Sequence, residues 1–221
     1  MIMQQPRSIS AWVITFKQII IQIFILKDPS IENKIQLLYL NSVRSLRWIF
    51  LLVTVTSVLT AGLREDTEEL IYNHYGESIT LNFLKQTIPM HVKSSAESGA
   101  HLRFMADYIY TWEIVKNDSL IGVAYLDNVK GKSQPITFVV FFDPEGQVLN
   151  SHIVKYREPI GGEVSSKNWL RQFLGKTKES SFKIGKEIDG ISGATISVNA
   201  VTRGIHRGTI VIDYLLKKLH D

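Results

Sequence analysis

A nine-residue stretch near the carboxyl end, Asp189-Gly-Ile-Ser-Gly-Ala-Thr-Ile-Ser197, has the residue types needed to hold or carry a phosphate. It stands directly before a segment whose apolar residues recur with helical spacing, so Ser192 to Thr195 are expected to open a helix. Backbone N–H groups at a helix N-terminus bind phosphate, and the Thr195 hydroxyl could carry one as an ester. A plain helix cap after a glycine turn would use the same residues, so the stretch alone leaves both interpretations open.

Other kinds of reactive site are not indicated by the composition. The chain of 221 residues has no cysteine, which excludes thiolate zinc sites, iron–sulfur clusters and covalently attached c-type haem. Its six histidines show no metal-ligand spacing, and no nucleophile elbow, P-loop or zinc-protease motif is present. Because these patterns are missing, we expect neither a metal site nor catalytic residues. Net charge is +4 and no basic element is interleaved with aromatics, so we expect no nucleic-acid partner.

The elements that would position the stretch indicate an α+β fold, an antiparallel sheet with packed helices. A tight turn at Asp143-Pro-Glu-Gly146 marks one hairpin, because Pro at the second and Gly at the fourth position favour a type I turn. His91 to Arg103 has loop-like composition. The predicted strands are Tyr108–Val115, Ser119–Leu126, Ile136–Phe142 and Gln147–Lys155, and the predicted helices are Glu65–Lys85 (as one helix or two), Lys167–Leu174 and Thr195–Leu219.

An uncharged apolar segment, Trp48 to Leu63, precedes this domain. Its 16 residues are short for a membrane span, which needs about 20, but Leu46 and the hydroxylated residues can extend it. Arg44 and Arg47 before it, and an acidic run after it, predict that the carboxyl-terminal part lies outside the cytoplasm. A cleaved signal peptide is the alternative to a permanent anchor.

These features divide the chain into four parts. Residues 1–45 are predicted to be a cytoplasmic or a non-native extension, and residues 46–63 a transmembrane anchor or signal segment. Residues 64–105 are predicted to form a helical and loop connector, and residues 106–221 the domain that contains the small-residue stretch.

The stretch from Asp189 to Ser197 resembles the flavinylation signal of the FMN-binding domain family, which includes the C subunit of the sodium-translocating NADH:quinone reductase and the G subunit of the Rnf complex. Three upstream motifs follow in the order typical of that family. They are Asp143–Gly146 with Val148, Arg157-Glu-Pro-Ile-Gly-Gly-Glu163, and Trp169-Leu-Arg-Gln-Phe-Leu-Gly-Lys176. The similarity covers about Tyr108 to Leu216. One departure is that Glu158 is followed directly by Pro159, where relatives often have Glu-Thr-Pro-Gly.

The resemblance implies a covalent cofactor. In the family, a flavin transferase that uses FAD attaches FMN through its phosphate to the threonine after Gly-Ala, which here is Thr195. The residues implied in FMN binding are Thr195, Ser192, Gly193, Ala194, Glu158, Gly161, Gly162 and Trp169, and those implied in transferase recognition are Asp189, Gly190 and Ser192 to Thr195. Ser197 is the lesser acceptor candidate.

Two of these residues have alternative roles. Glu158 would either accept a hydrogen bond from the flavin or its ribityl chain, or be a solvated loop carboxylate. Trp169 would either shield the ring or be a core aromatic residue.

The function that the resemblance implies is electron relay. The chain is expected to be a single-pass protein of the inner membrane whose periplasmic domain carries FMN and exchanges electrons with a membrane donor and acceptor, either alone or in a larger redox complex. The sequence shows no residues for substrate turnover, so it does not indicate that the chain is an enzyme by itself. Two alternatives are a module that binds FMN non-covalently, as a sensor or carrier, and a structural subunit of a membrane redox complex.

The charge asymmetry around the apolar segment predicts a topology that protease can test. Protease added to intact spheroplasts should digest the part of the chain that follows Leu63, because that part lies outside the cytoplasm. A cytoplasmic marker protein should survive until the spheroplasts are lysed. Protection of the carboxyl-terminal domain in intact spheroplasts would contradict the topology.

Overall fold

The computed structural model describes residues 62–220, which belong to one compact unit, Thr60–Asp221. The predicted extension and nearly all of the predicted apolar segment, residues 1–61, lie outside the described residues. Within residues 62–220, no helix has both the length and the apolar character needed to cross a membrane.

The described part of the chain is an α+β domain, as predicted. Four α-helices and five strands follow one another in the order α1 (62–75), β1 (Thr80–Thr87), α2 (Met90–Ala100), β2 (Tyr108–Lys116), β3 (Ser119–Lys130), β4 (Pro135–Phe142), β5 (Val148–Lys155), α3 (Lys167–Leu170) and α4 (Thr195–His220). Short 3₁₀ helices at Gly162–Ser165 and Arg171–Phe173 flank α3.

The five strands form one antiparallel meander in the order β1-β2-β3-β4-β5. Asn117 and Asp118, both with positive φ, make the tight turn between β2 and β3. The predicted turn after β4 is present: the Asp143 carboxylate accepts hydrogen bonds from the N–H groups of Glu145 and Gln147. Local turn chemistry therefore sets the strand pairing in both hairpins.

Helices cover both faces of the sheet. On one face, Ile71 of α1 packs against Trp112, Ile114 and Phe141. On the other face, α4 packs over the buried side chains of β3 and β4, and α2 packs against α4. The face that carries α4 matters most for function, because α4 begins at Thr195.

Two glycines let α4 approach the sheet closely. A Cβ at Gly204 would lie 2.6 Å from the Val129 side chain and 2.9 Å from the Phe138 ring. A Cβ at Gly208 would lie 2.9 Å from the Tyr125 ring. Both glycines cost helix propensity, about 1 kcal/mol each relative to alanine, and the close packing compensates for that cost.

A buried ion pair joins α4 to β3. The guanidinium of Arg207 is fully buried and donates to the Asp127 carboxylate over 2.6 Å and to the Arg103 carbonyl over 2.5 Å. The Tyr125 hydroxyl donates to the same carboxylate, and burial together with the Asp127 charge raises the pKa of Tyr125 well above its ordinary value. The Phe104 ring lies 4.0 Å from the guanidinium carbon. The pair therefore fixes α4 to β3 and to the segment before β2.

The segment before β2 differs from its sequence-based prediction in two places. The second half of the predicted helix Glu65–Lys85 is strand β1, because Leu81 and Phe83 alternate with exposed residues at a period of two. The predicted loop His91–Arg103 contains helix α2, whose buried face consists only of Val92, Ala96 and Ala100. Small residues at four-residue spacing give a weak amphipathic signal, which composition alone did not reveal.

The helix predicted at Lys167–Leu174 is also shorter than expected. It is one α-helical turn, α3, continued by the 3₁₀ helix Arg171–Phe173. By contrast, α4 begins at the predicted residue, Thr195, and ends one residue beyond the predicted end.

The buried pair predicts a large difference between two substitutions on α4. Arg207→Met leaves Asp127 buried without its partner and should lower the free energy of unfolding by about 3–5 kcal/mol. The matched control is Lys217→Met, because Lys217 pairs with Asp213 over 3.0 Å but is 65% exposed, so its loss should cost less than about 1 kcal/mol. Urea denaturation of the two variants measures both values, and equal losses would contradict this account of α4.

Candidate functional site

The first turn of α4 presents an exposed hydroxyl beside unpaired N–H groups. Thr195 is exposed, whereas Ala194 before it is buried at 3% exposure. The N–H of Val198 donates to the Ala194 carbonyl, so intrahelical bonding starts there. The N–H groups of residues 195–197 donate no hydrogen bond to any of the described residues. This is the arrangement that binds an anion at a helix N-terminus.

Gly193 shapes the approach to Thr195. Its φ of +79° is in the left-handed region, and no atom lies within 4 Å of where its Cβ would be. The space around Gly193 is therefore open, so a large molecule can approach Thr195 from this side. Ser192 and Gly190 are also exposed, while Ala194 anchors the turn in the core.

Ser197 is not equivalent to Thr195. Its side chain is buried, with only 5% of the residue exposed, and its Oγ lies 3.0 Å from the Tyr156 hydroxyl. The single Tyr156 hydroxyl proton is donated to the Ile160 carbonyl, so Ser197 must be the donor to Tyr156. The Ser197 oxygen is therefore engaged and hidden, which leaves Thr195 as the accessible hydroxyl of this helical turn.

The loop Glu158–Gly162 packs against the start of α4. Gly161 has a φ of +88°, and a Cβ there would lie 3.1 Å from the Ala194 Cβ and 2.8 Å from the Tyr156 hydroxyl. Only glycine fits this position, on both conformational and steric grounds. Gly162 and Ile160 are exposed, Ile160 at 72%. The structure therefore brings Gly161 next to Ala194, the residue before Thr195.

Glu158 points toward a neighbouring turn. Its Oε1 accepts hydrogen bonds from the N–H groups of Gln134 and Ser133, over 2.9 and 2.6 Å. These two bonds, that from Gln134 first, lower the pKa of Glu158. Its carboxylate also lies against Gly131. In this structure Glu158 stabilises the β3–β4 turn.

Trp169 lies in the core. It is 6% exposed, its ring packs edge-to-face on Phe173, and its indole N–H donates to the Asp189 carbonyl over 2.8 Å. The Asp189 N–H in turn donates to the Gln172 side chain over 2.7 Å. This geometry agrees with the packing alternative for Trp169. Trp169 and Gln172 together hold the carbonyl and the N–H of Asp189, while Asp189 itself is exposed.

A cleft along α4 was not predicted from the sequence. It has a volume of about 420 Å³, and Asn199, Thr202, Arg203 and His206 of α4 form its floor. Residues 99–101 and 180–184 form its walls. Helical spacing from Thr195 could have identified the floor, because Asn199, Thr202 and His206 follow Thr195 by four, seven and eleven residues. No sequence signal places the two wall segments beside them.

Metal binding is not indicated in residues 62–220. Within that range no group of three or more histidine, aspartate or glutamate side chains is arranged to hold an ion. His74 and His152 both contact Phe141 on the opposite face of the sheet, and burial lowers the pKa of each.

Comparison with known proteins gives one family and two relatives. Residues 131–209 match the family model of the FMN-binding domain. The chain is similar to the G subunit of the ion-translocating oxidoreductase complex of Buchnera aphidicola subsp. Acyrthosiphon pisum (strain APS), with 26% identity over 129 residues, 50% of this chain and 79% of that protein. It is also similar to the crystal structure of Shewanella oneidensis NqrC, with a TM-score of 0.48, 15% identity, and coverage of 67% of this chain and 87% of that one.

The matched segment contains the parts of the site described above. It includes the loop Glu158–Gly162, Trp169, the stretch from Asp189 to Ser197 and the first half of α4. The match confirms the resemblance that the order of the sequence motifs predicts. Residues 131–209 of this chain are therefore similar to the FMN-binding domain family.

Proposed function

We propose that this chain is a membrane-anchored flavoprotein that carries FMN through a phosphoester on Thr195 and relays electrons in a membrane redox chain. The single observation that carries the proposal is the exposed Thr195 hydroxyl at the start of α4, beside unpaired N–H groups. The FMN-binding domain family match and the similarity to a component of an ion-translocating oxidoreductase complex support it.

The residues at the start of α4 fit the phosphate end of FMN. The unpaired N–H groups of residues 195–197 suit a phosphate diester, whose negative charge the helix dipole also stabilises. Asn199 donates its side-chain N–H to the Thr195 carbonyl over 2.8 Å, which supports the local backbone. Further along the helix, the buried Thr202 hydroxyl has no hydrogen-bond partner among the described residues, and Thr202 lines the cleft. The N–H groups at the start of α4 and the Thr202 hydroxyl therefore both fit FMN.

Attachment is a group transfer without a change in oxidation state. The Thr195 oxygen bonds to the phosphorus of the FMN half of FAD, the pyrophosphate bond breaks, AMP leaves, and the hydroxyl proton is lost to solvent. A flavin transferase would catalyse this step. Asp189 is exposed and its backbone is fixed by Trp169 and Gln172, so its carboxylate is available to the transferase.

The relay function follows from the cofactor. Bound FMN accepts and donates one or two electrons, and the protein supplies its position and electrostatic surroundings. A covalent tether keeps the flavin on a domain outside the cytoplasm. The predicted apolar segment would anchor that domain at the periplasmic side of the inner membrane, where a membrane donor and acceptor, or a larger complex, would reach it.

Non-covalent binding of FMN, as in a sensor or carrier, is the competing function. It is distinguished by denaturation: a phosphoester keeps the flavin on the unfolded chain, whereas a non-covalent complex releases it.

The attachment site predicts a contrast between two variants. Coexpressed with a flavin transferase, the wild-type chain and Ser197→Ala should gain the mass of one FMN, because Ser197 is buried and bonded to Tyr156. Thr195→Ala should fold and show no increment in its intact mass. The assignment is wrong if the increment survives in Thr195→Ala and disappears in Ser197→Ala.

The relay proposal predicts redox behaviour without substrate turnover. The purified flavinylated domain should be reduced by dithionite and reoxidised by small acceptors, and should oxidise NADH slowly, because the sequence predicts no residues for substrate turnover. Membranes that contain the protein should reduce its flavin when they are given a respiratory donor, with Thr195→Ala membranes as the colourless control. Fast NADH oxidation by the isolated domain would contradict the relay.

A further inference from the structure

Three side-chain hydrogen bonds close a ring around the backbone of Asp189. The Trp169 indole N–H donates to the Asp189 carbonyl over 2.8 Å, and the Asp189 N–H donates to Gln172 Oε1 over 2.7 Å. Gln172 Nε2 completes the ring by donating to the Trp169 carbonyl over 3.0 Å. Each polar atom of the Gln172 amide therefore has a partner of the matching type, which fixes the orientation of the amide. Trp169 and Gln172, with the Asp189 backbone that they hold, form the Asp189 clamp.

The clamp is built on the core of the domain. Trp169 is 6% exposed, and its ring packs edge-to-face on the fully buried Phe173, with centroids 5.3 Å apart. Ile188, which directly precedes Asp189, is also fully buried. Packing therefore fixes both the direction of the indole N–H and the path of the chain into Asp189.

The clamp holds one end of the exposed loop 190–193, which leads to Thr195. A Cβ at Gly190 or at Gly193 would have no atom within 4 Å. The other end of the loop is fixed by Ala194, which is buried at 3% exposure. The loop is therefore held at both ends and open around its two glycines.

A loop of this composition would sample many conformations if one end were released. Two of its four residues are glycine, which loses more backbone entropy on ordering than any other residue. Each residue that an approaching protein must order lowers the affinity of that protein for the chain by roughly tenfold. A loop that is ordered before contact avoids this penalty. Holding Asp189 therefore favours capture of the loop by a protein that modifies Thr195.

We infer that Gln172 and Trp169 are positioning residues for the attachment of FMN to Thr195. They hold the Asp189 backbone so that the loop meets the flavin transferase in one conformation. This inference rests on the proposed attachment, in which the Thr195 oxygen bonds to the phosphorus of the FMN half of FAD and AMP leaves. In the described part of the chain the Gln172 amide bonds only Trp169 and Asp189, so its effect on attachment passes through Asp189.

The test is the kinetics of FMN transfer from FAD to the unflavinylated full chain, with a flavin transferase and the chain in detergent at varied concentration. Gln172→Met keeps the length of the side chain and removes both of its hydrogen bonds. Trp169→Phe removes the indole N–H and keeps an aromatic ring on Phe173. Each should raise the KM for the chain by roughly tenfold and leave kcat within about twofold, because the cost of ordering the loop falls on binding. An unchanged KM in either variant would overturn the inference.

Two controls separate positioning from a general loss of stability. Gln147→Met makes the same substitution at an exposed residue of the β4–β5 turn. Val139→Ala removes buried apolar atoms on the opposite face of the sheet, beneath α1, and should lower the urea concentration at the unfolding midpoint. Both should keep the wild-type KM. A rise in KM in Val139→Ala equal to that in Gln172→Met would attribute the effect to stability and refute the positioning role.

Hydrogen–deuterium exchange tests the clamp without any flavin. In the peptide that contains residues 189–194, exchange should be faster in Gln172→Met and Trp169→Phe than in the wild type and in Gln147→Met. Exchange at the wild-type rate in the two clamp variants would contradict the inference, because the loop would then not depend on the clamp.

Intact mass after coexpression with the transferase separates this inference from the proposed function. A wild-type chain that gains one FMN, together with an unchanged KM in the clamp variants, contradicts only the positioning role. A wild-type chain that gains no FMN contradicts the attachment at Thr195, and this inference with it.

Discussion

The buried pair between Arg207 and Asp127 is the interaction on which the position of the candidate site depends. It holds α4 against β3, with Gly204 and Gly208 allowing the helix to lie close to the sheet. A charged pair without exposure to water is costly to bury and is retained only with good geometry, here three hydrogen bonds on the guanidinium and carboxylate that replace those to water. Because α4 is one continuous helix from Thr195 to His220, fixing its middle also fixes the direction in which its first turn points.

The chemistry of the first turn follows from differences in access between neighbouring hydroxyls. Ser197 follows Thr195 by two positions, which rotates their side chains by about 200° around the helix. Ser197 consequently faces the core and bonds Tyr156, the residue that directly follows β5, whereas Thr195 faces solvent. Gly161 packs closely against Ala194 on the core side of the turn. The space around Gly193, on the other side, is open. In the proposed attachment, selectivity for one hydroxyl would therefore come from helical geometry and packing, without special reactivity of the threonine.

The sequence predicted the parts of this protein whose signals are local. The small-residue stretch predicted the start of α4 at Thr195, and Asp143 to Gly146 predicted the β4–β5 turn, because both depend on nearby backbone conformation. The prediction was wrong for β1, since an edge strand with exposed Leu84 and Lys85 has weak alternation, and for α2, whose buried face is two alanines and a valine. The stacking of Phe182 on His206 and the hydrogen bonds of Glu158 and Trp169 join segments that are distant in the chain, which one sequence cannot pair.

Peptide mapping of the flavinylated wild-type chain tests the central claim most directly. The protein is coexpressed with a flavin transferase, denatured and digested, and the peptide that contains residues 189–197 is fragmented by electron transfer, which preserves phosphoesters. The account predicts that the FMN mass appears in fragments that include Thr195 and is absent from those that contain only Ser192 or only Ser197. An increment on either serine, or a flavin that separates from the denatured chain, would contradict it.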